Sequence, residues 1–488
     1  MIFNSYIYLF IFLPLVSIIY FFLNRMKYFG TGKIWLIACS LFFYSYWDIS
    51  YLPIILFSMM FNYSVSILLT KHTSKTSLPA SGKWTLGFGI LVNLILLGYF
   101  KYTIFIISNI NNAFNTSITS PDILFPLAIS FFTFQQIAFL VDSYHNETGK
   151  TNIIDYFLFI SFFPKLISGP IVNHKEMMPQ LLKTNNIHPD WKNIFTGIIL
   201  LSIGLFKKVI IADNLAEYVS LGFDSTTQTL TFLESWCSSL SYTFQIYYDF
   251  SGYTDMALGA GYIFNIKLPI NFNSPYKALN IQDFWDRWHI TLSHWLREYL
   301  YIPLGGNRNG SFNTYRNILI TFLVCGIWHG AGWTFIIWGM LHGFGLALHR
   351  FYKNFDIRIP VFIAWLTTFL FINCSWVFFR ANSLNDAMKV LKGMAGLTGI
   401  VLKSEYSTSL SFLSEYGIEF GNWASYNAKS GYFITILFIG LISVFAKNSI
   451  DMKTGFKPSL KYIFIAVTSI VISVLQFSKT SDFIYFNF

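Results

Sequence analysis

Charged side chains are scarce in this sequence. Asp, Glu, Lys and Arg make up 11% of its 488 residues, whereas hydrophobic residues make up 54% and aromatic residues 20%. Soluble globular domains carry about 25% charged residues, so the composition excludes a soluble protein and predicts an integral membrane protein. One stretch, residues 317–349, contains no charged residue at all.

Cysteine and several enzyme motifs are also scarce or missing. The four cysteines, Cys39, Cys237, Cys325 and Cys374, lie in apolar segments without metal-ligand or redox spacing, and we interpret them as small buried residues. The sequence has no H-E-x-x-H pair, no G-x-S-x-G elbow and no P-loop. These absences disfavour a zinc protease, a serine hydrolase and a P-loop nucleotide-binding protein, and we expect no metal site.

Long apolar segments predict the architecture. A membrane span needs about 20 mostly apolar residues, and by that rule the chain has about 10–13 spans. Some segments are too short to cross alone and are expected to be re-entrant or paired. The expected fold is therefore an all-α, polytopic bundle, in which the neighbouring segments 228–248 and 252–266 form separate helices.

The basic residues follow a membrane pattern. The net charge is +10, but Lys and Arg collect in cytoplasmic loops of membrane proteins, so no nucleic-acid partner is expected. The first apolar segment has no basic residue before it and is followed by Arg25, Lys27 and Lys33. The N-terminus is therefore predicted outside, without a cleavable signal, and the 71–83 loop inside. A non-spanning helix is expected near the lysines of 174–192.

The least hydrophobic tract of the chain contains two histidines. Residues 281–304 have a helical pattern, with Asp283 and Arg287 at the favourable i, i+4 spacing. His289 and His294 are five residues apart, about 140° around a helix, which does not suit two ligands of one metal. An interfacial helix with an aromatic face is the simpler interpretation of this tract.

A different histidine, His329, lies inside the charge-free stretch, in the sequence C-G-I-W-H-G-A-G-W. Ionisable groups at membrane depth are costly and usually face a cavity or a partner, and imidazole exchanges protons near neutral pH. Gly330, Ala331 and Gly332 leave room for a helix or a long substrate, so Trp328, Gly330 and Gly332 are candidate substrate-binding residues. The alternative is a hydrogen-bonded structural histidine.

Eight segments, spread over nearly the whole chain, carry a family resemblance. They are PLAISFFTFQ (126–135), FFPKLISGPI (162–171), YYDFSGYTDMALG (247–259), NFNSPY (271–276), FWDRWHITLSHWLREYLYIPLGGNR (284–308), GIWHGAGWTFIIWGMLHG (326–343), SWVFFRANSL (375–384) and FIYFNF (483–488). In these segments the chain resembles the membrane-bound O-acyltransferase family, and most closely its alginate O-acetyltransferase branch, which acetylates bacterial polysaccharides.

The resemblance implies a role for two histidines. The family position in W-H-G corresponds to His329, the expected catalytic base, and the position in R-W-H corresponds to His289, a supporting polar residue. His294 stands where relatives carry Arg or an aromatic residue, so no catalytic role is transferred to it. The resemblance also implies tilted helices around a polar tunnel, with an acyl thioester donor on the cytosolic side and the acceptor on the far side.

Three polar residues in a strongly apolar context, Asp249, Ser251 and Asp255, are candidate tunnel-lining residues. A structural network of these side chains is the alternative. The whole chain is expected to form one membrane-embedded domain. Its expected parts are N-terminal helices at 1–120, a catalytic core at 121–350 and C-terminal helices at 351–488.

The expected function is O-acyl transfer in the bacterial cytoplasmic membrane. An acetyl group would move from a thioester substrate, with acetyl-coenzyme A the expected donor and no tightly bound cofactor, to a hydroxyl of an exported polysaccharide or of an extracytoplasmic partner acetyltransferase. The alternatives are D-alanyl transfer to a cell-wall polymer, a proton-coupled transporter or flippase, and a non-catalytic scaffold. The sequence does not identify the glycan.

Overall fold

The computed structural model describes residues 1–73, 80–149, 151–183, 187–355, 357–423, 431–453, 459–479 and 483–484. The N-terminal helices are α1 Leu13–Arg25, α2 Phe29–Ser45, α3 Leu52–Thr73 and α4 Ala80–Phe114. The central helices are α5 Ile129–Tyr144, α6 Ile153–Ser161, α7 Phe163–Leu166, α8 His174–Leu182, α9 Trp191–Leu205, α10 Asp213–Phe223, α11 Phe232–Ile263, α12 Ile281–Trp285, α13 Ile290–Leu296, α14 Gly310–His329 and α15 Trp333–Tyr352. The C-terminal elements are α16 Val361–Arg380, α17 Leu384–Met394, β1 Ile400–Lys403, β2 Ile418–Gly421, α18 Gly431–Phe445, α19 Ser449–Lys453 and α20 Leu460–Leu475.

The fold is all-α and polytopic, as predicted, and two short strands within the described residues form a small parallel pair. Five helical stretches of the described chain are long and apolar enough to cross a membrane, namely Tyr8–Arg25, Ile49–Lys71, Ser81–Phe114, Trp191–Phe223 and Val361–Arg380. The total of 10–13 spans stays a prediction. At nine residues, α8 is too short to cross a bilayer, which agrees with the non-spanning helix expected near 174–192.

One of the two predicted boundaries between parts of the chain falls between helices, and the other falls within a helix. The boundary at 120 falls between α4 and α5, whereas the one at 350 lies inside the last turn of α15. Within the predicted 71–83 loop, residues 74–79 lie outside the described residues, as do 485–488 of the terminal motif.

Helix α4 is amphipathic in the membrane sense. Its buried face carries Asn93, Leu97 and Lys101, four residues apart and therefore aligned. Its opposite face exposes apolar residues, as expected for contact with lipid chains: Phe88, Leu91, Ile95 and Tyr99. Asn93 and Lys101 of this span therefore point into the protein.

The centre of the molecule is α11, which is buried along nearly its whole length of 32 residues. A capping box formed by Thr231 and Glu234 begins it. The separate helices predicted at 228–248 and 252–266 are wrong, because the two segments form this one helix. Its intervening carboxylate, Asp249, is neutralised by an ion pair, so the polar residues do not interrupt it.

Glycines allow α9 and α11 to touch backbone to backbone. A Cβ atom on Gly204 would lie 2.6 Å from the carbonyl oxygen of Gly252, and one on Gly197 would lie 2.6 Å from that of Gly259. Small residues are the usual means of close helix packing in membranes. These two contacts place the lysines that follow α9 directly beside α11.

The polar tract 281–304 is not one helix, contrary to the prediction. It breaks between α12 and α13 at His289, whose φ of +43° lies in the left-handed region. The backbone N–H of Ile290 donates to the carbonyl oxygen of Asn271 at 3.0 Å, which replaces its intrahelical bond. The angle estimated between His289 and His294 on a continuous helix therefore does not apply, although the predicted Asp283–Arg287 ion pair is present at 2.6 Å.

Candidate active site

His329 is the last residue of α14 and is 3% exposed. Its ring packs among aromatic rings at centroid distances of 4.8 Å to Trp328, 5.0 Å to Trp338 and 5.1 Å to Phe379. The chain then passes through the turn 330–332 into α15. The imidazole is thus held in an apolar, aromatic environment at the end of a helix.

The two glycines of this turn have different roles. A Cβ atom on Gly330 would lie 2.2 Å from the ring of Phe335, so this residue must be small for the hairpin to close. A Cβ atom on Gly332 would meet the same ring at 3.5 Å, an ordinary contact. Both have extended backbone, so the requirement at Gly330 is steric and not conformational.

A cavity of about 670 Å³ opens beside the turn. Gly330 and Gly332 line it, whereas Trp328 and His329 do not. The role of these residues in substrate binding stays a prediction. The polar side chains of its wall are Lys101, Ser220, Asp224, Tyr242, Gln245, Thr334, Arg380 and Asn382. The volume is in the range of small-molecule sites.

Lys101 of α4 lies between this cavity and the end of α14. Its ammonium group donates to the carbonyl oxygens of Trp328 at 2.5 Å and His329 at 3.1 Å, and to the hydroxyl of Ser130 at 3.1 Å. The last four carbonyls of a helix have no intrahelical partner. Lys101 donates hydrogen bonds to two of them, the carbonyl of Trp328 and that of His329.

The neighbouring carbonyls are satisfied without charge. The hydroxyl of Tyr102 donates to the carbonyl oxygen of Ile327 at 2.7 Å, and the N–H of Gly330 donates to that of Gly326 at 3.4 Å. Tyr102 thus contacts α14 two residues before His329, and at His329 itself the hydrogen bond from α4 comes from Lys101.

His289 is fully buried, and its ring meets that of Phe250 edge to face at 4.8 Å. The ring of His289 is near enough to that of His329 for the two to interact electrostatically. Lys101 and His342 also interact electrostatically with His329. The structure therefore brings the two histidines of the resemblance into one electrostatic neighbourhood. His294 is exposed.

A third histidine, His342 of α15, is a bonded core residue. The indole N–H of Trp285 donates to its Nδ1 at 3.2 Å, and its Nε2 lies 3.1 Å from the hydroxyl of Ser375. Since Nδ1 accepts, the neutral ring carries its proton on Nε2 and donates it to Ser375. That hydroxyl in turn donates a hydrogen bond to the carbonyl oxygen of Ile372 at 2.8 Å.

The three polar residues proposed to line a tunnel do not reach the large cavity. Asp249 is paired with Lys208 at 2.7 Å, and Asp255 is paired with Lys207 at 2.7 Å. Ser251 and Asp255 border only a small void of about 10 Å³. These contacts favour the structural network, which was the alternative interpretation.

The C-terminal segment approaches the site through Asp249. The N–H of Ile484 donates to the Oδ2 atom of Asp249 at 2.9 Å, and Phe483 stacks on Tyr253 at 4.4 Å. Ile484 also lines the large cavity. The described part of the FIYFNF motif is therefore a wall of the candidate site.

A second cavity of about 660 Å³ lies at the other end of α15. Its lining includes Asp286, His349, Lys353 and Arg358. Since α15 has 20 residues, its two ends are about 30 Å apart, which is the thickness of a bilayer's hydrocarbon core. One helix thus connects two polar cavities at a separation that matches a membrane.

The sequence interpretation missed Lys101 and His342. It also missed the ion pair in the cavity wall between Arg380 and Asp224, whose Nη2 and Oδ2 atoms are 2.6 Å apart. A signal for Lys101 was present, since it is a charged residue inside an apolar stretch of 34 residues, Ser81–Phe114. The same reasoning that singled out His329 applies to it. No local signal distinguished His342 from His329, because their roles depend on distant partners.

Comparisons with known proteins identify related proteins. The model of MBOAT, the membrane-bound O-acyltransferase family, matches residues 37–385. A peptidoglycan O-acetyltransferase of Helicobacter pylori is 45% identical, over 100% of this chain and 98% of the relative. A probable alginate O-acetylase, AlgI, of Pseudomonas aeruginosa is 38% identical over 81% of this chain and 75% of the relative. A teichoic acid D-alanyltransferase of Bacillus subtilis is 29% identical over 47% of this chain and 60% of the relative.

Proposed function

The chain belongs to the membrane-bound O-acyltransferase family, and on this premise we propose that it moves an acetyl group across the bacterial cytoplasmic membrane. The donor is a cytosolic thioester, acetyl-coenzyme A, which is a substrate and not a bound cofactor. The acceptor is a hydroxyl of peptidoglycan, or of an extracytoplasmic partner acetyltransferase that passes the group to the glycan. The observation that carries the proposal is the buried His329 directly before the turn 330–332, whose residues line the cavity.

The comparisons support acetyl transfer to a polysaccharide over the other candidates. The peptidoglycan O-acetyltransferase matches the whole chain, whereas the D-alanyltransferase matches about half of it at lower identity. Membership of an acyltransferase family also favours an enzyme over the transporter and the scaffold. Peptidoglycan is therefore the acceptor polymer that we test first.

The proposed reaction converts one thioester into one oxygen ester. The acceptor oxygen attacks the thioester carbonyl carbon, a carbon–oxygen bond forms and the carbon–sulfur bond breaks. In the proposal, His329 takes the hydroxyl proton during attack and returns it to the leaving thiolate. Positioned proton transfer contributes about 10²–10⁴ in rate, and holding donor and acceptor together contributes much of the remainder. His289 assists by interacting with the His329 ring.

Two cavities support separate donor and acceptor sides. The basic residues Lys353 and Arg358 border the cavity at the end of α15, which the charge pattern predicts to be cytosolic. The carrier's phosphates stay there, because a charge at mid-bilayer costs about 2.5 kcal/mol or more. The cavity beside Gly332, at the opposite end, receives the acceptor. The thioester arm of the carrier extends to His329, where the acceptor oxygen attacks the carbonyl carbon and the C–S bond breaks. Only the acetyl group then leaves on the acceptor side, and the thiol returns with its carrier.

The first experiment measures the cell wall. Mass spectrometry of muropeptides should show O-acetyl groups in cells with the wild-type protein and lose them with His329→Gln. His294→Gln is the matched control, since that imidazole is exposed and should leave acetylation unchanged. Normal acetylation with well-expressed His329→Gln would overturn the catalytic assignment, and D-alanyl esters in place of acetyl esters would overturn the acyl specificity.

The second experiment tests the cross-membrane relay. In inside-out vesicles, acetyl-coenzyme A added to the exposed cytosolic face should acetylate an acceptor trapped in the lumen. Gly332→Leu, which adds a side chain to the cavity wall, should block this transfer. Intact coenzyme A in the lumen, or transfer only when donor and acceptor are on one side, would contradict the relay.

A further inference from the structure

Lys101 is a buried cation that has no carboxylate partner among the described residues. It is 9% exposed, and within the part of the chain that the structure describes no Asp or Glu oxygen lies within 4 Å of its ammonium nitrogen. Lys208, which is also buried, is by contrast paired with two aspartates at 2.7 Å. Burying an unpaired charge is expensive, so its retention needs a reason.

Capping the helix is not a sufficient reason. The adjacent Tyr102 satisfies a carbonyl of the same helix end with a neutral hydroxyl. A neutral amide in place of the ammonium would serve the Trp328 and His329 carbonyls in the same way, without the cost of a buried charge. The distinguishing property of Lys101 is therefore its positive charge.

That charge lies where the electrostatic field would otherwise be unfavourable. The carboxyl end of a helix carries roughly half a negative charge, and α14 ends at His329 beside the cavity. Thioester attack puts negative charge first on the carbonyl oxygen and then on the leaving sulfur. Fixed charges and dipoles aimed at such sites are usually the largest source of rate enhancement, and the uncompensated helix end would oppose them.

We propose that Lys101 is a positioning residue for acyl transfer: its ammonium group holds the end of α14, and with it His329, and reverses the sign of the field at the cavity so that negative charge can develop on the thioester. This inference rests on the proposed function. All three ammonium protons are used within the protein, so Lys101 acts through its charge and through the helix end, without donating a hydrogen bond to the substrate.

The test separates charge from hydrogen bonding in the full-length protein. Lys101→Gln keeps donors for the carbonyls and removes the charge, Lys101→Met removes both, and Lys101→Arg keeps the charge, with the cavity giving room for the longer side chain. Tyr102→Phe is the matched control, because it removes the neighbouring cap without any change of charge. Acetyl transfer into inside-out vesicles is measured against acetyl-coenzyme A concentration.

We expect Lys101→Gln and Lys101→Met to lower kcat about 10²-fold, the size seen for loss of one electrostatic stabiliser, with KM for the donor nearly unchanged. Lys101→Arg should retain most of the activity, and Tyr102→Phe nearly all of it. Wild-type kcat in Lys101→Gln, or equal loss in the Arg and Gln variants, would overturn the role of the charge. If the wild-type protein transfers no acetyl group, or His329→Gln is fully active, the proposed function fails instead.

Discussion

The buried ion pairs of Lys208 give the clearest test of whether Asp249 is structural. Lys208 is 2% exposed and lies 2.7 Å from both Asp213 and Asp249, whose side chains are 3% and 1% exposed. Replacing Lys208 by Met would leave two carboxylates buried together without a cation. Removing one partner of a buried pair typically costs 3–5 kcal/mol, so we expect the free energy of unfolding to fall by about that amount.

A second variant distinguishes the loss of the pair from the loss of packing. Replacing all three charged residues by neutral ones of similar volume, Lys208→Met with Asp213→Asn and Asp249→Asn, should recover at least half of the lost stability. Buried ion pairs exchanged for neutral groups are often no less stable than the original. The control is Lys175→Met, whose exposed pair with Glu147 should contribute less than about 1 kcal/mol.

The assay is equilibrium unfolding of the purified protein in mixed micelles with increasing dodecyl sulfate. Unfolding is followed by a thiol-reactive dye, since Cys39, Cys237 and Cys325 are buried in the folded protein. An unchanged unfolding free energy for Lys208→Met, together with loss of acetyl transfer, would refute the reasoning. Asp249 would then belong to the acyl path, as the tunnel hypothesis had it.

Three further predictions concern the site and the topology. His342→Gln should lower the unfolding free energy by about 1–3 kcal/mol through its broken hydrogen bonds and keep some transfer activity, and complete inactivity with normal stability would contradict its structural role. Gly330→Ala should abolish transfer because its methyl group overlaps the ring of Phe335, and Phe335→Ala in the same chain should restore part of it; no rescue would show that the clash is not the cause. An impermeant thiol reagent added outside should label Asn115→Cys and spare Lys75→Cys, and the reverse pattern would invert the predicted orientation and the donor side.

The fold class was predictable because it depends on composition alone. A chain with 11% charged residues has to bury its apolar surface in a bilayer, and in lipid the backbone has to form helices or a closed barrel. The two helices α14 and α15 were also predictable, since most of each lies in the charge-free run 317–349. These features need no knowledge of distant contacts.

The rest depended on contacts between residues far apart in the sequence. The break at His289 follows from hydrogen bonds to Asn271, while the helical pattern is the same on both sides of it. Lys101 bonds a carbonyl 227 residues away, and a lone lysine in an apolar run gives no sign of such a partner. The continuity of α11 depends on lysines that approach it from another helix.

The left-handed backbone at His289 restricts which residues this position can hold in evolution or in a mutant library. At φ +43°, glycine fits without strain, and Asn, Asp and His are the other residues that occur there several times more often than average. A β-branched residue would be sterically strained at this φ, whatever the chemistry of its side chain. His289→Asn therefore removes the imidazole and keeps the backbone, whereas His289→Ala removes the imidazole and adds roughly 1–2 kcal/mol of strain. The residues tolerated at this position are therefore limited first by backbone conformation. The difference in unfolding free energy between His289→Asn and His289→Ala measures that limit.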